Sequence, residues 1–142
     1  MENSFVAVVL TVPKEYFHDG DDLCLTACRF VCVELGEHLA RLGHSIPNWI
    51  QGGCDEDWGV YFESMLNGTT LQYYVSFFPS PRGDIQNQIM IQYQVRRPLL
   101  RRLLGKSSYL PPDHSIHETM RSFGDVFGKS RMLTKSQFDS EY

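Results

Sequence analysis

The chain has 142 residues, of which 42% are hydrophobic, 13% aromatic and 21% charged, with a formal net charge of −4 at pH 7. That is enough apolar chain for one self-supporting domain spanning residues 1–142, and the charge is too sparse for a disordered one. The acidic balance gives the whole molecule no general attraction for nucleic acid or anionic lipid, and no apolar run approaches the roughly 20 residues that cross a bilayer.

Met1-Glu2-Asn3-Ser4 is polar and acidic and lacks the positive flank and cleavage site of a secretory signal, so a cytoplasmic protein is expected. Phe5–Val12 is a short, β-branched, nearly continuous apolar run closed by Pro13, the pattern of a strand lying centrally in a sheet. Asp21 or Asp22 then caps a helix running to about Leu42, because a side-chain carboxylate there accepts from the free N–H groups of the first turn. Cys28, Val31, Cys32, Leu35, Leu39 and Leu42 recur at spacings of three and four and form its apolar stripe, with Gly43 as a left-handed stop. Cys24, Cys28 and Cys32 fall along that stripe and read as small buried apolar groups; ligand pairs for zinc need tighter spacing on a turn.

From Trp58 the apolar period changes to two. Asn67-Gly68 separates Trp58–Leu66 from Thr69–Phe78, the strongest short-range hairpin signal. Gln88–Val95 is a further strand after the turn-rich Pro79–Asp84. A second helix carries Ile116, Met120, Phe123 and Phe127, stopped by Gly128. Arg131–Leu133 reads as a last short strand, and Thr134 with Gln137 as a capping box on a terminal turn. The order β-α-β-β-β-α predicts an α+β two-layer sandwich: a mainly antiparallel four- to five-stranded sheet with two helices on one face. Its other face is expected to display some of Tyr61, Tyr73, Tyr93, Gln72, Gln88, Gln92 and Gln94.

Two charged motifs stand out. Asp55-Glu56-Asp57 precedes Trp58 at the mouth of the hairpin; clustered carboxylates attract a cation or raise one another's pKa, but consecutive residues point apart and do not face each other across a substrate. Arg96-Arg97-Pro-Leu-Leu-Arg101-Arg102-Leu-Leu-Gly-Lys106 gathers five cations without an acid, a patch suited to an acidic surface unless its leucines anchor it in the core. The five histidines read as surface or capping groups. There is no nucleophile elbow, phosphate loop or dinucleotide fingerprint, which weighs against the common enzyme classes.

Asp55-Glu56-Asp57-Trp58-Gly59-Val60-Tyr61, the aromatic hairpin, the basic leucine-rich stretch and the closing Arg131–Phe138 resemble a loose set of small uncharacterised bacterial proteins with Glu-Asp-Trp-Gly-Trp at the start of a hairpin and a Thr-Lys-x-x-Phe ending. The similarity covers roughly residues 40 to 140, with Val60 where that set carries an aromatic. It implies no established activity; by analogy such proteins include immunity or antitoxin-like binders.

The expectation is a non-enzymatic module that binds another protein through Asp55, Glu56, Asp57, Trp58, Arg96, Arg97, Arg101 and Arg102, without metal or cofactor. The alternative is a small-ligand protein or enzyme using Asp55–Asp57, with His44 or Arg97, in a cleft between helix and hairpin. Nucleic acid is disfavoured by the acidic total. An edge strand such as Trp58–Leu66 or Gln88–Val95 offers a route to a homodimer.

Overall fold

The computed structural model describes residues 5–18, 20–21, 24–46, 54–56, 59–78, 87–96, 103–104, 109–110, 112 and 114–141. Seven strands form one sheet: β1 (Phe5–Thr11), β2 (Cys54–Glu56), β3 (Gly59–Leu66), β4 (Thr69–Phe77), β5 (Gln88–Arg96), β6 (Tyr109–Leu110) and β7 (Ser130–Thr134). Their order is β2-β3-β4-β5-β1-β7, with β6 added to the far end of β5, and each pairing is antiparallel. Helices α1 (Leu25–Arg41) and α2 (His114–Val126) cover one face, here called inner; the short α3 (Lys135–Glu141) packs on the outer face. The fold is the expected α+β sandwich. The strands beyond the expected number are β2 and β6, whose three and two residues are too few to show a period.

β1 lies between β5 and β7 and is buried on both faces. Val8 and Leu10 join the inner core with α1 and α2, while Ala7 and Val9 join Phe78, Met90 and Leu133 in a smaller outer cluster, against which Phe138 of α3 packs. The continuous apolar run of this strand thus has one cause for each face.

Asp21 caps α1, accepting from Leu25 N–H (2.9 Å) and Thr26 N–H (3.0 Å), an arrangement worth about 1 kcal/mol. Slight burial pushes its pKa up, but the N–H donors of Thr26 and Leu25 outweigh this and hold the carboxyl below its ordinary value. At the other end Gly43 N–H donates to Ala40 C=O and His44 N–H to Leu39 C=O, with Gly43 at φ 93°, the paired bonds of a Schellman stop. The expected stripe holds for Cys28, Val31, Cys32, Leu35 and Leu39, all buried. Leu42 departs from it and is exposed, since the helix ends at Arg41 and the chain has already left helical phase. Burial pushes the Cys28 thiol up to about 12, so it packs as an apolar group.

Neither strand expected to be a sheet edge is one. β5 lies between β4 and β1 and takes β6 on its last two residues. β3 has its first three residues paired with β2, and Met65 is tied to Ser45 by reciprocal backbone bonds of 2.9 and 2.7 Å. The outermost strands among the described residues are β2 and β7.

Candidate interaction surface

Asn67 (φ 51°) and Gly68 (φ 80°) both take left-handed backbone, as the two central residues of a type I′ turn must. A two-residue loop fixes the register: Leu66 opposes Thr69, and counting back Glu63 opposes Gln72 and Tyr61 opposes Tyr74. Alternation then sends Val60, Phe62, Ser64, Leu71, Tyr73 and Val75 to the helix-covered face, and Tyr61, Glu63, Gln72, Tyr74 and Ser76 to the other. Tyr73 and Tyr93, expected on the open face, therefore lie inside, only 1% and 3% exposed. Tyr73 stacks on Phe62, and Tyr93 bonds through its hydroxyl to His117 Nδ1 (2.9 Å).

The inner face also holds a chain of three polar groups. His44 Nδ1 lies 3.1 Å from Ser64 Oγ, which lies 2.8 Å from Tyr73 Oη; all three residues are buried. Burial, with His38 as a second and smaller cause, lowers the His44 pKa, and burial raises that of Tyr73. In the tautomer whose Nδ1 is bare, the neutral imidazole accepts from Ser64, which accepts from the Tyr73 hydroxyl, so Nδ1 and both hydroxyls are matched. His44 was read as a surface or capping residue. Its burial follows from its place: the residue just after a Gly stop folds back on the last helical turn, and Ser64, at an inward position of the hairpin, needs a polar partner.

The outer face carries a second network with a different outcome. Gln72 Nε2 donates to Tyr61 Oη (2.7 Å) and to Glu63 Oε2 (2.8 Å), and Tyr61 Oη donates to the same carboxylate oxygen. Gln72 is only 6% exposed and its Oε1 has no hydrogen-bond partner among the described residues; Ser76, one register step along the same face beyond Tyr74, is 1% exposed and its Oγ likewise has none. α1 and α2 pack on the opposite face, and α3 packs at the β1–β7 end, so among the described residues no helix covers this part of the sheet.

The charged motifs are dispersed by the fold. Asp55 and Glu56 lie in β2 opposite Val60 and Gly59, at the outermost strand of one end of the sheet among the described residues. Asp57 and Trp58 lie outside the described residues, as do Arg97, Arg101 and Arg102. Arg96 ends β5, exposed and opposite Tyr109. Gly59 shares a register row with Ser76 and Met90, so Arg96 lies six residues along the sheet from the acidic pair, roughly 20 Å at 3.3 Å per residue. Ser45 pairs with Met65 at the other end of β3, which sets its neighbour His44 about as far from that pair. Asp55 and Glu56 therefore do not share a cleft with His44, while Asp57 and Arg97 of that expected site lie outside the described residues. Leu103 and Leu104 of the basic stretch are 75% and 68% exposed, so these two leucines do not anchor it in the core.

No group of three or more His, Cys, Asp or Glu residues able to hold a metal ion occurs among the described residues, and no described helix is long and apolar enough to cross a membrane. Compared with known proteins, the chain matches no family model, no curated protein and no solved structure.

Proposed function

We propose that this chain is a non-enzymatic protein-interaction module of the cytoplasm, akin to compact bacterial immunity or antitoxin-like binders, and that it binds through the outer face of the β3–β4–β5 sheet. The observation that carries the reading is the unmet hydrogen-bonding capacity of Gln72 and Ser76 beside the Tyr61–Glu63–Gln72 network. Buried polar groups in a folded chain are nearly always paired, so groups without a described partner, on a face that no described helix covers, are candidates for contact with another protein. Aromatic and amide side chains suit such a face, since they combine area with hydrogen bonding at low entropic cost. Asp55 and Glu56 of β2 and the exposed Arg96 belong to opposite ends of that part of the sheet, and their opposite charges would orient an incoming surface. The described hydrogen-bonded trio that resembles catalytic machinery, His44–Ser64–Tyr73, is sealed from reactants by its burial.

The test is affinity capture from the native host with the wild-type chain and with Tyr61→Ala and Glu63→Lys. A protein retained by the wild type and lost with both variants, while their unfolding midpoints hold, is expected. Equal retention by all three, or no retained protein, overturns the reading.

Small-ligand binding is the second reading, and one feature favours it. An open groove of about 700 Å³, lined by Val12, Phe30, Glu34, Val126, Phe127 and Lys129 among others, runs between α1 and the end of α2. Its size is within the range of small-molecule sites, and its lining does not include Asp55 or Glu56.

A further inference from the structure

β7 closes the sheet, and the phase of its pairing leaves one side open. Thr11 N–H donates to Lys129 C=O (3.0 Å), and the register continues Leu10–Ser130, Val9–Arg131, Val8–Met132 and Ala7–Leu133. Lys129, Arg131 and Leu133 therefore turn their backbone groups toward β1, while Ser130, Met132 and Thr134 turn theirs outward. The Thr134 N–H is already taken by Gln137 Oε1 (2.9 Å), half of the capping box that starts α3. The outward N–H and C=O groups of Ser130 and Met132 have no partner among the described residues. This is a short, open ladder bounded by a cap.

A second copy of the chain fits that ladder badly. Antiparallel self-pairing centred on Met132 sets Ser130 against Thr134, whose N–H is already taken by Gln137, and pairing centred on Arg131 sets this guanidinium against its own copy. Like charges directly opposite are destabilising. Nor does the acidic edge of another copy match, because β2 has three residues and presents at most two of them outward. The cations of this edge favour carboxylates: Lys129 and Arg131 are both exposed and two residues apart, with Arg131 lying over the Phe78 ring.

We propose that β7 is a docking edge for an extended acidic segment of another protein, which adds a strand through the backbone of Ser130 and Met132 and sets alternate carboxylates against Lys129 and Arg131. Main-chain bonds supply affinity in such strand addition, and side chains at every second position supply selectivity. The inference rests on the interaction-module reading and adds a second contact to it.

Two synthetic hexapeptides, Thr-Glu-Val-Glu-Val-Thr and Thr-Lys-Val-Lys-Val-Thr, serve as probes of the isotope-labelled full chain by NMR. The acidic peptide is expected to shift the Ser130 and Met132 amides and slow their exchange, with binding that weakens as salt is added. Arg131→Glu should cost about two- to fivefold in affinity, the range of one exposed ion pair, and should turn the preference toward the lysine peptide. Ser130→Pro removes one outward N–H while sparing the bonds to β1, and should weaken the acidic peptide as well. Unmoved β7 amides at millimolar acidic peptide, indifference to Arg131→Glu, or concentration-dependent self-association through the same amides overturns the proposal. A captured host protein lost with Tyr61→Ala but kept by Arg131→Glu and Ser130→Pro removes the edge and leaves the module standing. No captured protein with any form removes the module itself, whatever the peptides do.

Discussion

Ser64 and Ser76 lie on the two strands of one hairpin, both essentially without solvent exposure, on opposite faces of it. Ser64 sits between His44 and Tyr73, bonded to each. Ser76 has no partner for its hydroxyl among the described residues. The same side chain thus secures the fold on one face and is left over on the other. A satisfied buried network adds specificity to a core, whereas an unsatisfied group costs its desolvation. Among the described residues the sheet carries that cost only on the face that no described helix covers, and under the proposed reading its two faces are divided between folding and contact.

The comparison depends on β3 and β4 staying in register, so the largest effect should come from breaking that register. A Cβ built on Gly59 would lie 2.1 Å from the Val75 carbonyl oxygen and 3.0 Å from its carbon, backbone atoms that cannot swing aside. Gly59→Ala should cost about 3 kcal/mol or more, above the usual range for overpacking because the obstacle is main chain. Urea unfolding would show it as a lowered midpoint. A midpoint unchanged within error would mean that the strands yield there, and the division of faces would lose its rigid basis.

The serines test the division directly, with opposite signs. Ser64→Ala leaves the Tyr73 hydroxyl and His44 Nδ1 unpaired inside the core and should cost about 1–3 kcal/mol. Ser76→Ala removes a buried hydroxyl that bonds nothing described and should be neutral or stabilise by up to about 1 kcal/mol, while weakening partner capture. Losses of similar size for both variants would show that Ser76 is as structural as Ser64.

Much of this arrangement was legible in the sequence, residue by residue. Asn67-Gly68 dictated the turn because both positions need left-handed backbone, and a two-residue loop carries the register with it. Tyr61, Glu63 and Gln72 could therefore have been brought together by counting back from the turn. Tyr73 was among the candidates for the open face, but its parity matches Leu71 and Val75, and a buried tyrosine needs only one partner. β2 was hidden by its length, since three residues carry no period, although they pair in register with the start of β3. The basic stretch misled through its leucines, because composition does not say which leucines meet the core, and Leu103 and Leu104 do not. The charged motifs were visible as motifs, but their separation along the sheet was set by register and strand order, which single-residue chemistry does not contain.

The smallest expected effect is a pH dependence confined to the inner face. Burial, and secondly His38, lowers the His44 pKa in the folded chain below its ordinary 6.5; burial, and secondly Arg41, lowers that of His38. The unfolded chain then binds more protons than the folded one just below pH 6.5, so stability is fully present above that value and declines as pH falls toward the folded pKa values. Thermal melts between pH 7.5 and 5.5 should show a falling midpoint on acidification. His44→Gln should flatten most of that slope, because the neutral amide still bonds Ser64 and no longer titrates, with the less buried His38 supplying the remainder. The outer network contains no histidine, so capture of a partner through Tyr61 and Gln72 should hold over the same range wherever the chain remains folded. A midpoint that rises on acidification, or a slope untouched by His44→Gln, would mean that the imidazole is not held neutral between α1 and the hairpin.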